Sequence, residues 1–403
     1  MTTNIAGPAY AGPALVPDVD RLTNTVVQLA ADEFTGRRVG TSGSAAARAW
    51  LATQLHAAGA RVSTSEFSAK ARDVYATPVL AVDDGSGRQH LVHRRDFAEH
   101  LASADLAEPV EAVLGHASDA DVTGRWVLAP AFTVEAAVTA AAARAVGLLV
   151  PRGTDDAGWM PKLIAGPATC PLPALSLRAD LHQRWSGLVA DGPVRVTASV
   201  PLSTVDVIGV NLYGDFSDAA KGWPSVLLTA HYDGVGDDPG VRLPSAADNA
   251  SGVAVVLEAA RLVAPLLPSG ARLQVALLDA EEVGARGSEH HALTLPPGTS
   301  VINVDGAADM NEAASVEAAG PALPVLEALD AAGRLTGVPL RAGAMASDNR
   351  RYGAAGLPAV GIGMGLPGYQ TPAETPDRVQ PATLIAATRL VAHTVLHLVG
   401  DRT

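Results

Sequence analysis

From Thr204 onward, the sequence repeats one pattern, in which an apolar run that ends in polar residues is followed by a stretch with helical periodicity. The apolar runs are SVLLTAHYDG, RLQVALLDAEE, TSVINVDG and LPAVGIGMG, and the helical stretches are SGVAVVLEAARLVAPLL, LPVLEALDAAGRL and ATLIAATRLVAHTVLHLVG. Near-continuous apolar strands that alternate with helices predict an α/β domain with a mostly parallel sheet, covered by helices on both faces. Because such sheets bind ligands beyond the carboxyl ends of their strands, the polar residues at those ends are the first candidates for a functional site.

The remainder of the chain divides into three parts. Residues 1–16 are rich in Gly, Pro and Ala and predict a flexible tail, and residues 17–67 have the pattern of two helices and a strand. Residues 68–200 contain short strand patterns separated by Gly, Pro and Asp, with one Ala-rich helix over 133–145. We therefore predict that 17–67 and 201–403 form the α/β domain and that 68–200 form a smaller, strand-rich inserted domain.

The charge balance argues against a nucleic-acid partner. The chain has 29 basic and 42 acidic residues, a formal net charge of −13, and lysine only at positions 70, 162 and 221. Binding to nucleic acid relies on clustered basic residues that contact phosphates, and no such cluster is present in the sequence.

The cysteine content and the apolar segments constrain the location of the protein. A single cysteine, Cys170, excludes an internal disulfide framework and a cysteine-rich metal site. The first twenty residues lack the basic and uninterrupted apolar regions of a secretory signal, and the most apolar long run, 133–150, contains Glu135 and Arg144. We expect a cytoplasmic protein without a membrane partner.

Metal-ligand residue types recur at the predicted strand ends. They are His231, Asp233, Asp248, Glu281, Glu282 and Asp305. A neutral imidazole is a good zinc ligand, and an Asp two residues later can hold its other ring nitrogen. After a buried strand, one of two adjacent carboxylates can bind a metal while the other moves a proton. Asp248 alone would be interpreted as a helix N-cap, but four motifs at one sheet edge predict a carboxylate-rich metal site with a free base.

These motifs resemble a known family. In order, HYD, ADNASG, EEVGARGS, NVDG, SDN and YQT are similar to the motifs of the co-catalytic zinc exopeptidases, which include bacterial leucine aminopeptidases, plasma glutamate carboxypeptidase and glutaminyl cyclase. The resemblance covers the N-terminal helices and 204–403. It implies that Asp248 bridges two zinc ions, that His231 and Asp305 complete one site, that Glu282 belongs to the other, and that Glu281 is the general base.

The insert resembles a protease-associated domain. This similarity is carried by GRWVLAP, the Ala-rich helix, VGLLVPR and LPALSL. It implies either a module that lines the catalytic cleft and selects substrate or a module for packing or dimerisation, and the sequence leaves both open.

The chain departs from the family pattern around one half of the implied site. Gln370 stands where the pattern has its last histidine, Asn349 stands where histidine is usual, and Glu374 stands where aspartate is common. An amide oxygen is a weaker donor toward zinc than an imidazole nitrogen. The protein is therefore expected to bind one or two divalent ions, with the second site, which includes Gln370, in doubt.

Four further residues are predicted to face the substrate. Tyr369 adjoins the metal-site loop and could donate to a developing oxyanion, so it is grouped with Glu281 and Asp233 as catalytic. Asp348, Asn349 and Arg351 are predicted to bind substrate, because arginine binds carboxylates bidentately. Surface exposure of Arg351 explains its presence equally well.

Three functions remain open on the sequence. The leading hypothesis is a metal-dependent, exopeptidase-like amidohydrolase of aminopeptidase type, which uses metal-activated water and acts on a small peptide or amino-acid amide. The second is an acyl-transfer, cyclising or deprotecting enzyme of a biosynthetic pathway, suggested by the altered metal site. The third is a metal-poor binding protein that kept the peptidase fold. The sequence leaves both a monomer and a homo-oligomer open.

Overall fold

A computed structural model describes residues 15–162, 170–217 and 223–400. The strands in this part of the chain are β1 (Arg61–Val74), β2 (Leu80–Asp83), β3 (Arg88–His90), β4 (Phe97–Glu99), β5 (Leu106–His116), β6 (Trp126–Leu128), β7 (Gly147–Arg152), β8 (Ala174–Arg178), β9 (Arg195–Val200), β10 (Leu202–Asp215), β11 (Ser225–His231), β12 (Arg272–Leu278), β13 (Ser300–Val304), β14 (Ala314–Ala319), β15 (Leu340–Ala342) and β16 (Ala359–Gly363). The α-helices are α1 (Val19–Leu29), α2 (Ser42–Ala57), α3 (Val134–Ala142), α4 (Ala179–Asp191), α5 (Gly252–Val263), α6 (Arg286–Ala292), α7 (Leu323–Thr336), α8 (Asn349–Ala354) and α9 (Pro381–Gly400).

The α/β domain contains an eight-stranded sheet in the order β1-β10-β12-β11-β13-β16-β14-β15. The four central strands, β12, β11, β13 and β16, are parallel to one another, whereas β10 is antiparallel to both β1 and β12, and β14 is antiparallel to β16. The prediction of a mostly parallel sheet is therefore corrected to a mixed sheet with a parallel centre. The chain enters the insert through β1 and returns through the adjacent β10, and strands that run out and back side by side are antiparallel.

Helices cover this sheet on both faces. Alternate residues of each central strand face opposite sides, so each strand packs against both layers of helices. In β11, Val226 and Leu228 pack into the core cluster that contains α1, α2, α5, α7 and α9 residues, whereas Leu227 packs with residues of α6 and α8 on the other face. The central strands are consequently largely apolar, as their sequence pattern predicted.

The insert contains a second eight-stranded sheet, in the order β3-β2-β9-β5-β6-β7-β8-β4. The Ala-rich helix is α3, where the Thr133 hydroxyl accepts a hydrogen bond from the Ala136 amide at 3.0 Å. The ladder between β1 and β10 continues to the pair Val74 and Leu202, so β1 runs past the predicted boundary at residue 67. The division into domains stays a prediction.

The N-terminal segment is described from Leu15 onward, so most of the predicted tail lies outside the described residues. Leu15 itself is buried in the core of the α/β domain. Two helical segments, Ala246–Leu266 and Pro381–Gly400, are long and apolar enough to cross a membrane, and 72% and 67% of their apolar windows are buried within the protein. Core helices of folded domains have the same composition.

Arg37, between α1 and α2, ties the N-terminal helices to the loop that follows β11. Its side chain is fully buried, and its backbone has a left-handed φ of 54°. The guanidinium donates to the carbonyl oxygens of Tyr232 (2.8 Å), Leu29 (2.5 Å), Pro244 (3.0 Å) and Ser245 (2.8 Å). Buried carbonyl groups need such partners, so Arg37 fixes both ends of the loop between Tyr232 and Ser245.

We expect Arg37→Met to lower the free energy of unfolding by about 3 kcal/mol, because four buried carbonyls lose their donor. The matched control is Arg334→Met, which removes an exposed ion pair with Asp330 within α7 and should change stability by less than about 0.5 kcal/mol. Chemical denaturation followed by circular dichroism measures both. A loss below about 1 kcal/mol in Arg37→Met would contradict this role.

Candidate metal centre and active site

Three parallel strands deliver their carboxyl ends to one edge of the sheet. β11 ends at His231, which pairs in register with Leu278 at the end of β12, and Asp305 directly follows β13. Asp248 lies in the segment 246–251 that leads into α5, where its own backbone is not helical (φ −112°, ψ 96°). The structure thus brings together the metal-ligand residues that the sequence placed on separate segments.

His231, Asp248 and Asp305 form a convergent ligand set. The His231 Nε2 atom lies 3.0 Å from Asp248 Oδ1 and 3.4 Å from Asp305 Oδ1, and the potential ligand atoms of the three residues lie within 4.8 Å of one another. Asp248 Oδ1 is buried, yet no described residue makes an aligned hydrogen bond to it. One imidazole and two carboxylates that face a common point, one with an orphaned oxygen, fit a divalent cation such as zinc.

Asp233 positions both the imidazole and the Glu281–Glu282 turn. Nδ1 of His231 lies 3.2 Å from the Asp233 carbonyl oxygen, and in the tautomer that donates this bond Nε2 keeps a lone pair for a metal. The Asp233 carboxylate accepts from the backbone N–H groups of Glu281 (3.1 Å) and Glu282 (3.2 Å). Its role is therefore to hold two site loops in place.

In the second metal site that the resemblance implies, the side-chain amide of Gln370 occupies the space beside Glu282. Gln370 is buried, and its Nε2 donates to Glu282 Oε2 at 2.9 Å and to the Tyr369 hydroxyl at 3.1 Å. A cation beside Glu282 would need the amide oxygen of Gln370, so the amide would have to reverse and lose both hydrogen bonds. Asp248, Glu282 and Gln370 in this arrangement do not fit a second zinc ion.

Glu374 links the two loops that carry Asp248 and Gln370. Its Oε1 accepts from the Asp248 backbone N–H at 2.6 Å, and its Oε2 accepts from the Gln370 backbone N–H at 2.7 Å. Glu374 therefore braces the ligand loops through the backbone, which is a role that its position in the sequence did not reveal.

The site carries more negative charge than its imidazole balances. Burial raises the pKa of Glu282 well above its usual range, and neighbouring Asp248 and Glu281 raise it further. Burial, with Asp305 and Asp348 nearby, likewise raises the pKa of Glu281 well above its usual range, although His231 opposes the shift. Clustered buried carboxylates of this kind are stabilised by a bound cation.

His231 and Asp305 stabilise each other's charged forms. Although burial alone would lower it, the carboxylates of Asp233, Asp248 and Asp305 hold the pKa of His231 well above its usual value. Burial by itself would raise the pKa of Asp305, but the adjacent imidazole holds it below its ordinary value. Asp305 is therefore the carboxylate of the ligand set that most readily ionises.

A cavity of about 330 Å³ opens beside Glu281 and Arg351. Arg351 donates to the Gly284 carbonyl at 2.8 Å, whereas Asp348 and Asn349 are fully buried and do not line this cavity. Burial raises the pKa of Asp348 to about 7, and Asn349 donates to Glu317 at 3.2 Å, away from the ligand set. The predicted contact of these three residues with substrate stays a prediction.

Sequence analysis missed a buried polar chain behind the ligands. Thr229 donates to Asn303 Oδ1 at 2.6 Å, Asn303 donates to the Ser347 hydroxyl at 3.0 Å, and Ser347 stabilises the charge of Asp305. The signal was an asparagine at the penultimate position of an otherwise apolar strand, where a polar residue needs a buried partner.

Comparison with known proteins identifies a family domain. Residues 211–395, somewhat under half of the chain, match the model of Peptidase family M28. No curated protein matches the chain.

Solved structures share the fold over nearly the whole chain. A zinc aminopeptidase from Bacillus subtilis has a TM-score of 0.75 at 20% identity, with 96% of each chain covered. An aminopeptidase from Aneurinibacillus sp. strain AM-1 has a TM-score of 0.70 at 20% identity, covering 94% of this chain and 93% of that one. A glutaminyl cyclase from Fimbriiglobus ruber has a TM-score of 0.51 at 15% identity, covering 98% and 99%. At these identities the likeness is one of fold, and it extends through the insert.

Proposed function

Because residues 211–395 carry a domain of peptidase family M28, we propose that this protein is a metal-dependent amidohydrolase of aminopeptidase type that acts on a small peptide or amino-acid amide. The observation that carries the proposal is the convergence of His231, Asp248 and Asp305 near Glu281, and Glu281 itself lines a cavity. The solved aminopeptidases that share the fold support it.

His231, Asp248 and Asp305 would hold one divalent ion, which we propose to be zinc. When bound, such an ion polarises a carbonyl group and makes water a better nucleophile at neutral pH. We propose one ion per chain, because the Gln370 amide presents its N–H group to Glu282 where a second ion would need a ligand atom.

Glu281 would move the proton. It lines the cavity, and Asp233 holds its backbone N–H, so the turn that carries the Glu281 side chain is fixed beside the cavity. A cation held by the neighbouring ligand set would offset the raised pKa of Glu281 and keep its carboxylate ionised. The carboxylate then takes a proton from the attacking water as the water oxygen bonds to the substrate carbonyl carbon. It then gives that proton to the leaving amine nitrogen as the C–N bond breaks.

Tyr369 would donate to the oxyanion that develops on the carbonyl oxygen. Its side chain is 38% exposed, and its hydroxyl accepts a hydrogen bond from Gln370, which leaves its own proton available. Partial burial, together with the nearby carboxylates of Asp248 and Glu282, raises the pKa of Tyr369, so the hydroxyl remains protonated and able to donate.

One observation favours a second candidate function. The closed second half-site around Gln370 removes a ligand position that two-metal hydrolysis would use, which suits acyl transfer or cyclisation on a biosynthetic intermediate. The glutaminyl cyclase of similar fold supports this alternative.

Isotope labelling separates the two reactions. Zinc-loaded protein is incubated with amino-acid p-nitroanilides and dipeptides in water enriched in oxygen-18, and the masses of the products are measured by mass spectrometry. Hydrolysis places one labelled oxygen in each new carboxylate, whereas cyclisation or transfer to an amine places none. Absence of turnover with every substrate, combined with ligand affinity that Glu281→Gln does not change, would favour a binding protein and contradict both enzymatic proposals.

A further inference from the structure

A buried charge network joins the insert to the α/β domain. It consists of His93, Arg94, Glu99, Lys162 and Asp238, all of which are buried. His93 Nε2 lies 2.9 Å from Glu99 Oε2, Arg94 Nε donates to Asp238 Oδ2 at 2.6 Å, and Arg94 also pairs with Glu99. The Lys162 ammonium completes this interdomain network at 2.9 Å from Asp238 Oδ1.

The interdomain network is not a second metal site, although His93, Glu99 and Asp238 have ligand atoms within 4.8 Å of one another. Arg94 pairs with both carboxylates, and Lys162 pairs with Asp238. Two fixed cations already balance two carboxylates, so a divalent ion would be repelled. The network is a structural connection.

Lys162 contacts both loops that flank the metal centre. Its ammonium donates to the carbonyls of Val235 (3.0 Å) and Gly236 (3.1 Å), in the loop that follows His231 and Asp233. Its backbone N–H donates to the Gln370 carbonyl at 2.9 Å. One residue of the insert therefore reaches both sides of the site.

Two further contacts join the segment of the insert that precedes Lys162 to the Gln370 loop. The Thr371 hydroxyl donates to Asp155 Oδ2 at 2.7 Å, and Arg378 pairs with Asp156. The segment from Asp155 to Lys162 thus runs beside residues 370–378 of the α/β domain.

We propose that Lys162 is a positioning residue through which the insert holds the His231 loop and the Gln370 loop in register with each other. Buried ion pairs often add little net stability, because desolvation offsets their attraction, but in some proteins they fix one arrangement of the groups that they join. Here, the ion pairs would fix the loop that carries His231 and Asp233 relative to the loop that carries Tyr369 and Gln370. The proposal rests on the site assigned above, but not on the reaction that it catalyses.

Hydrogen exchange of the full chain, followed by mass spectrometry, tests this role. In Lys162→Met we expect amides in 233–240, which lose the ammonium contacts, to exchange about tenfold faster or more, while the sheet strands keep their protection. Amides in 366–376 should exchange faster by a smaller factor, because the Lys162 backbone N–H that holds Gln370 is retained but is no longer anchored by its own side chain. Lys162→Arg, which keeps the charge and the donors, should restore most of the protection in both loops.

Lys70→Met is the matched control, because Lys70 makes an exposed ion pair with Asp206 and contacts neither loop. It should leave exchange in both loops unchanged. Unchanged exchange in both loops of Lys162→Met, or an equal increase in every part of the chain, would overturn the positioning role.

A milder variant covers the case in which Lys162→Met does not fold. Lys162→Gln keeps a hydrogen-bond donor on the side chain but removes the charge that pairs with Asp238. It should speed exchange in 233–240 less than Lys162→Met does, and exchange in 233–240 at the wild-type rate would contradict the proposal. No substrate is needed, so an inactive protein would refute the proposed function without affecting this result.

Discussion

Glu281→Gln is expected to lower kcat about 10²- to 10⁴-fold while the protein keeps its metal, which is the range that a positioned general base contributes. The amide retains the shape of the side chain but cannot accept the proton of the attacking water. Glu281 is outside the ligand set of His231, Asp248 and Asp305, so metal content measured by elemental analysis should not change. Steady-state kinetics on the best substrate of the labelling experiment gives the decrease.

The same substitution should not destabilise the fold. The pKa of Glu281 is raised in the folded state, so its ionised form is disfavoured there and costs stability at neutral pH. This cost applies to the metal-free protein and a neutral amide removes it, so metal-free Glu281→Gln should unfold at a temperature equal to or higher than that of the metal-free wild type. Glu327→Gln, the same change on an exposed position of α7, is the control and should alter neither kcat nor stability. Full activity in Glu281→Gln would rule out the proposed proton transfer.

Gln370→His is expected to raise the bound zinc from about one ion to about two ions per chain. Imidazole nitrogen is a stronger zinc donor than an amide oxygen, and the new side chain would stand beside Glu282, whose Oε1 has no hydrogen-bond partner among the described residues. Elemental analysis of protein purified without chelator and then dialysed against trace zinc measures the ratio.

Gln89→His provides the matched control, because Gln89 is exposed on β3 of the insert, and the variant should keep the zinc content of the wild type. Two zinc ions in the wild-type protein would show that the Gln370 amide reverses to bind metal, which contradicts the single-ion proposal. No zinc in the wild type would contradict the ligand set itself.

Local patterns in the sequence were enough to predict which metal-ligand residues lie at the carboxyl ends of the central strands. β11, β12 and β13 are largely apolar because both faces are covered, so each was recognisable without knowledge of its neighbours. Parallel strands place their carboxyl ends on one edge, so His231, Asp305 and the Glu281–Glu282 pair could be assigned to one site from the pattern alone. The motif order then indicated the family whose domain matches residues 211–395.

The strand directions at the flanks could not be predicted in the same way. β10 and β14 have periodicities that suit either direction, and their antiparallel pairing depends on which strand each one meets in the folded chain. The periodicity of apolar residues shows which face of a strand is buried, but it does not show the direction of the neighbouring strand.

The sequence by itself determined which residue types stand at the ends of the central strands. It also showed that Gln370 departs from the family pattern. Only the tertiary structure decided what these residues do for one another: Gln370 donates to Glu282, which is 88 positions earlier in the chain, and Arg37 and Lys162 fix loops from outside them. The physical reason is that helix and strand patterns arise from neighbours within a few residues, whereas buried hydrogen bonds and ion pairs join groups that only the packed chain brings within 3 Å.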